Sequence, residues 1–284
     1  MAKILLEPFR NVSAAGVASM ETTRIYPNTL EYIAVRLGGG TPPTKAQLSR
    51  IQVKLGQSTK PIWDITGAEL NSINLYEGRP NTATVLILPF ANPRARTVEA
   101  QMIGALDMGA IGIRQLLLEI TIAGGVTPAL DAWAEVSPPK LFGEGAPENQ
   151  LFRALLTAPI SFTGAVNRFP QNIPTAAQGG ALLRRIHFFS ALVTSYELRR
   201  DGIAYHEDVP LAVNNAILDE LGHDPQASIY TFDATEDDNE SKALAQVRAD
   251  AQGLSLIPQQ HLVSVSGAGT FNVSSDVFAN VNGL

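Results

Sequence analysis

The sequence contains no cysteine, which excludes disulfides, thiolate zinc centres and cysteine nucleophiles, so the fold stands on packing alone. Charge is also scarce. Asp, Glu, Lys and Arg make up 17% of the 284 residues, against a hydrophobic share of 45%, a balance that argues against global disorder. There are four histidines and two tryptophans, and aromatic residues reach 7%. No run of about 18 apolar residues occurs, so no stretch has the make-up of a membrane-spanning helix. In the opening MAKILLEPFRNV, only Ile4, Leu5 and Leu6 precede Glu7, too little for a signal-peptide core; synthesis in a bacterial cytoplasm is the expectation. The net charge of -6 disfavours sequence-specific nucleic-acid binding, because phosphate contacts need a basic face.

Glycine and proline, by contrast, are plentiful at 23 and 18, as suits many short strands joined by turns. One stretch is used twice. Residues 116–136, LLLEITIAGGVTPALDAWAEV, and 261–281, HLVSVSGAGTFNVSSDVFANV, lie at an offset of 145. They are identical at Leu117/Leu262, Ala123/Ala268, Gly124/Gly269, Asp131/Asp276, Ala134/Ala279 and Val136/Val281, with Trp133 on Phe278. Each reads as a hairpin of two strands about a glycine turn, with the aromatic in a core.

Ahead of the first copy, strands are expected at 17–26 and 30–37, closed by Gly38-Gly39-Gly40, with a hairpin of 48–55 and 61–65. Thr66 and Glu69 form a capping box that opens a helix ending at Gly78. A strand at 84–88 and a helical stretch over 97–108 complete this half. The second half repeats the order, with strands at 155–165 and 182–191, a hairpin about Asp201-Gly202, a helix capped by Asp208 and ended by Gly222, and a strand at 228–232. Gly222 follows Gly78 by 144 residues, and Ser241 and Gly253 follow Thr97 and Gly109 by the same interval. A spacing held over half the chain marks two copies of one fold.

The fold class expected is all-β: two tandem eight-stranded jelly rolls with short inserted helices. Residues 1–11 form an N-terminal arm, 12–136 the first jelly roll, 137–149 a Pro- and Gly-rich linker and 150–284 the second. The halves differ in charge. Residues 1–142 carry 13 Lys+Arg and 11 Asp+Glu, while 143–284 carry 8 and 16.

Three segments, IQVKLGQSTKPIWDITGAELNSINLYEG (51–78), RARTVEAQMIGALDMGAIGIRQLLLEITIAGG (94–125) and ALLRRIHFFSALVTSYELRRDG (181–202), resemble the double jelly-roll major capsid proteins of tailless, internal-membrane bacteriophages, corticovirus coat proteins above all. The resemblance runs from about Val12 to the end of the chain. It implies a homotrimeric capsomer of pseudo-hexagonal outline tiling an icosahedral virion shell over an internal lipid membrane. It also implies minor capsid or penton proteins as neighbours, membrane contact from the surface only, and no catalysis. A carbohydrate-binding or adhesive β-sandwich, such as a spike, is the alternative, and it calls for exposed aromatic platforms.

Candidate sites are few. His187, His206, His223 and His261 lack the spacing of a metal-binding jelly-roll enzyme, and a structural role is expected for each. Asp233, Glu236, Asp237 and Asp238 are candidate calcium ligands, since calcium takes carboxylate and carbonyl oxygens, but without the spacing of an EF-hand a solvated loop is the plainer reading. Gly38-Gly39-Gly40-Thr41-Pro42-Pro43-Thr44-Lys45 fails as a phosphate loop because two prolines stand before the lysine. Arg184-Arg185 and Arg199-Arg200 are basic pairs expected at strand edges, most simply solvated faces or ion-pair partners, with contact to a neighbour or to lipid headgroups as the sharper reading.

Overall fold

A computed structural model describes residues 1–139, 151–250 and 253–280; most of the expected linker lies outside the described residues. The first half runs β1 (Ala2–Leu5), β2 (Val17–Thr22), β3 (Thr29–Thr41), β4 (Leu48–Leu55), β5 (Trp63–Ile65), α1 (Gly67–Tyr76), β6 (Val85–Pro89), α2 (Val98–Met102), β7 (Leu106–Asp107), β8 (Leu116–Ile122) and β9 (Thr127–Ser137). The second half runs β10 (Phe152–Phe162), β11 (Val166–Gln171), β12 (Leu182–Phe188), β13 (Val193–Arg200), β14 (Ile203–Pro210), α3 (Leu211–Glu220), β15 (Tyr230–Asp233), β16 (Leu244–Ala245), β17 (Val247–Asp250), β18 (Gly253–Leu256), β19 (Gln259–Val265) and β20 (Gly269–Ala279).

Two sheets face each other in each half. In the first, β1-β9-β3-β6 packs on β5-β4-β8-β2; in the second, β10-β20-β12-β15 packs on β11-β19-β13-β14. Each sandwich is a jelly roll and the two make a double jelly roll, and the alternation of side chains supplies their cores. Along β8, Leu116, Leu118, Ile120 and Ile122 are buried, and along β9 so are Leu130, Ala132, Ala134 and Val136. The residues between them, Asp131, Trp133 and Glu135, face outward and are partly exposed.

The repeated windows are crossings between sheets, not paired hairpins: β8 bonds to β4 and β2, while β9 bonds to β3 and β1. β19 and β20 separate in the same way. The equivalence within the windows also slips. A bulge between Leu30 and Tyr32 opposite β9 matches one between Leu183 and Arg185 opposite β20. Backbone bonds from Phe90 to Glu31 and from Ala234 to Arg184 confirm the match. Val136 then corresponds to Val277, Glu135 to Asp276 and Asp131 to Asn272, so the 145-residue identities in the closing strand lie four residues out of register. Elsewhere the interval holds: α1 and α3 are both ten residues long, 144 apart, and the bulges of β4 and β13 align Leu48 with Val193.

Other expectations change locally. The arm is part of the first sandwich, since Ala2–Leu5 pairs antiparallel with β9. The glycine triplet does not close β3, which runs on to Thr41 in a bulged ladder with β9. The helix expected over 97–108 spans five residues, because Thr97 caps it but Leu106 is drawn into the ladder with Leu30. Asp208 does not cap α3. It lies in β14 at φ +43° and accepts from Ser195 Oγ at 2.5 Å, leaving Pro210 at the cap position. The Thr66/Glu69 capping box and the left-handed Gly78 and Gly222 are present as read.

Candidate assembly surfaces and the ionic junction

The two sandwiches share a sheet. β5, the edge of the first sandwich's second sheet, lies parallel to β10, the edge of the next, with Leu155 opposite Trp63. The Leu155 amide donates to Ile62 O at 3.0 Å, and the Trp63 indole donates to Arg153 O at 2.9 Å. One continuous sheet therefore runs from β15 through β10 and β5 to β2.

Beside this seam the C-terminal turn of α1 enters the outer face of the second sandwich. Tyr76 donates to Asp233 at 2.8 Å and stacks on His223 at 4.6 Å. Glu77 accepts from Arg153 at 2.6 Å and from Arg185 at 2.8 Å. Arg153 also reaches Asp276 at 2.7 Å, which takes a further bond from Arg184 at 2.8 Å. Arg184 grips Glu240 at 2.7 Å and Arg185 grips Asp233 at 2.6 Å. All seven of these charged groups are buried.

Burial pushes the Glu77 carboxyl up, but Arg153, Arg79, Arg185 and Arg184 outweigh it and hold it well below the usual carboxylate range. Asp233 and Asp276 are likewise held down against burial, by Arg185 and by Arg153 with Arg184. Such a network contributes little net stability over an apolar packing but tolerates no missing partner. Its geometry fixes how one sandwich sits on the other.

Of the two plain readings of Arg184-Arg185, a solvated face and a set of ion-pair partners, the structure shows the second, and buried. The bulge in β12 lets two consecutive arginines both serve the junction, where a regular strand would send them to opposite faces. The signal in the sequence was Leu182-Leu183-Arg184-Arg185-Ile186-His187-Phe188, polar residues set in an apolar strand and hence a buried polar layer. Arg199 pairs with Glu197, and Arg200 donates to Ala245 O.

The calcium candidates are not brought together. Asp233 is committed to Arg185 and Tyr76, and Asp237 to Lys242 at 2.8 Å and Arg96 at 3.5 Å, while Asp238 occupies a left-handed turn position at φ +56°. Glu236 lies beside α3, its carboxyl raised by burial and by Asp233. No metal-sized group of three such side chains occurs among the described residues. His187, His206, His223 and His261 each have a hydrogen-bond partner of their own, respectively Thr231 Oγ1, Tyr230 OH, Glu236 O and Tyr196 OH. Trp63 is buried against Phe90 at 4.8 Å, and Trp133 is no core residue but lies outside β9 beneath Arg36 at 5.7 Å. Phe278 is buried under Arg184 at 4.8 Å. Neither tryptophan forms an exposed platform for a sugar.

Two family models match in tandem: the viral coat protein P2 N-terminal domain over residues 3–137 and the viral coat protein P2 C-terminal domain over 154–281. The chain belongs to the viral coat protein P2 family. This coat protein shares its fold with the major capsid protein P2 of bacteriophage PM2, at 19% identity and TM-score 0.79 over 98% of this chain and 97% of that one. It is also similar in fold to the STIV major capsid protein, at 11% identity and TM-score 0.65 over 99% and 97% of the chains. The PBCV-1 virus capsid follows at 11% identity and TM-score 0.60, over 98% and 94%. No curated protein matches. The coat protein is a major capsid protein whose place is the virion shell, and its role is structural.

Proposed function

We propose that three copies of the coat protein close into a capsomer of pseudo-hexagonal outline, and that these tiles build an icosahedral shell over the internal membrane of a bacterial virus. The observation that carries this is the junction: two sandwiches of one topology, joined edge to edge and pinned by buried ion pairs, form two adjacent sides of a six-sided ring. A three-fold ring supplies the other four by a heterologous contact between the second sandwich of one copy and the first of the next. Opposite charge of the halves steers that contact. Minor or penton proteins fill the vertices, the membrane is touched from the surface, and the chain is made in the host cytoplasm. Negative-stain microscopy of the particle is expected to show six-sided capsomers, each of three chains; capsomers of any other outline overturn the proposal.

A further inference from the structure

The two sandwiches meet by one set of elements, and each element has a counterpart left unpartnered in the chain. β5 lies against β10 at the seam. The counterpart of β5 is β14, the strand paired to β13 as β5 is to β4. The counterpart of β10 is β1, paired to β9 as β10 is to β20. Among the described residues, β14 and β1 are free sheet edges, and free edges are templates for another strand.

The helices tell the same story. On α1, Glu69 accepts from Asn272 at 2.7 Å, and Ile73 and Glu77 are buried. With the 144-residue interval, their counterparts on α3 are Val213, Ile217 and Leu221. These are 49%, 47% and 40% exposed and line a shallow groove with Ala216. The face that receives α1 is the outside of β10-β20-β12-β15. Its counterpart, the outside of β1-β9-β3-β6, presents Leu5, Trp133, Lys3 and Arg36, of which Leu5 is 51% exposed. The composition of the two flanks differs: residues 201–241 contain eleven Asp+Glu and no Lys or Arg, of which Asp233 and Glu240 are spent in the junction, whereas the opposite flank carries Lys3, Arg24 and Arg36, each exposed and ion-paired to a carboxylate of its own flank, Glu135, Glu7 and Asp131.

We infer that β14 of one copy pairs in parallel with β1 of the next while Val213, Ile217 and Leu221 of α3 cover the outer sheet face around Leu5 and Trp133, repeating between chains the junction seen within one. This rests on the trimer reading above. The partner is a second copy of this chain, and three such contacts close the ring.

Two changes at exposed positions test it. Because the chain has no cysteine, Lys3→Cys with Glu207→Cys places two thiols on the paired edges. A short bis-maleimide is expected to link the double variant into covalent trimers, and neither single variant. Ile217→Asp, with its circular dichroism unchanged, is expected to weaken the trimer at least tenfold in sedimentation. A wild-type trimer with no cross-link in the double variant, or undiminished by Ile217→Asp, overturns this contact and leaves the trimer standing. A wild-type monomer overturns both.

Discussion

At the scale of residues, the junction makes the coat protein sensitive to acid. His187 is buried on Thr231, and burial, opposed by Asp276, lowers its pKa to about 4. His206 and His261 are lowered to about 4 by burial as well. In the unfolded chain an imidazole titrates near ~6.5. The unfolded state therefore binds more protons between these values, and stability falls as pH drops from about 6.5 to about 4. Below that, Glu77, Asp233 and Asp276 act in the same direction: their stabilisation is present above the unfolded carboxylate range of ~4 and is lost as pH falls through their depressed folded values. The melting temperature is expected to decline continuously below about pH 6.5, and a flat profile down to pH 4 contradicts the assignment. The His187→Asn variant is expected to show a shallower decline.

At the scale of elements, glycine positions separate structural need from accident. A Cβ on Gly39, at φ +113°, would stand 2.0 Å from Thr127 O, while one on Gly124 would meet nothing within 4 Å. Gly39→Ala is expected to cost well over ~1 kcal/mol and Gly124→Ala about zero in denaturant titration; equal effects contradict the bulged β3–β9 ladder. The sequence made most elements legible because local chemistry determines them: alternation sets β8 and β9, the Thr66/Glu69 pair starts α1, and Asp201-Gly202 turns β13 into β14, both residues at positive φ. Periodicity carries no information on which sheet a strand joins, so the repeated windows read as hairpins when they are crossings. Bulges are equally silent. The one at Arg184 turns both arginines to the junction, and with them the whole ionic site was missed. Asp208 was misread because aspartate suits a helix cap and also tolerates the positive φ it adopts within β14, and its Ser195 partner lies on another strand.

At the scale of the whole molecule, duplication is the functional feature. Two sandwiches in one chain define one contact twice, once built inside the chain and once left open on α3, β14 and β1. The proposed contact joins the half with more Asp and Glu to the half with slightly more Lys and Arg, and salt screens such exposed charge over ~8–10 Å; association is expected to slow as ionic strength rises, and salt-independent assembly kinetics contradict the steering. The most direct test of the account is the native mass of the purified coat protein. Three copies of the 30.4 kDa chain give about 91 kDa. The account predicts that mass as the dominant species at low salt, and a species of about 30 kDa at every concentration contradicts it.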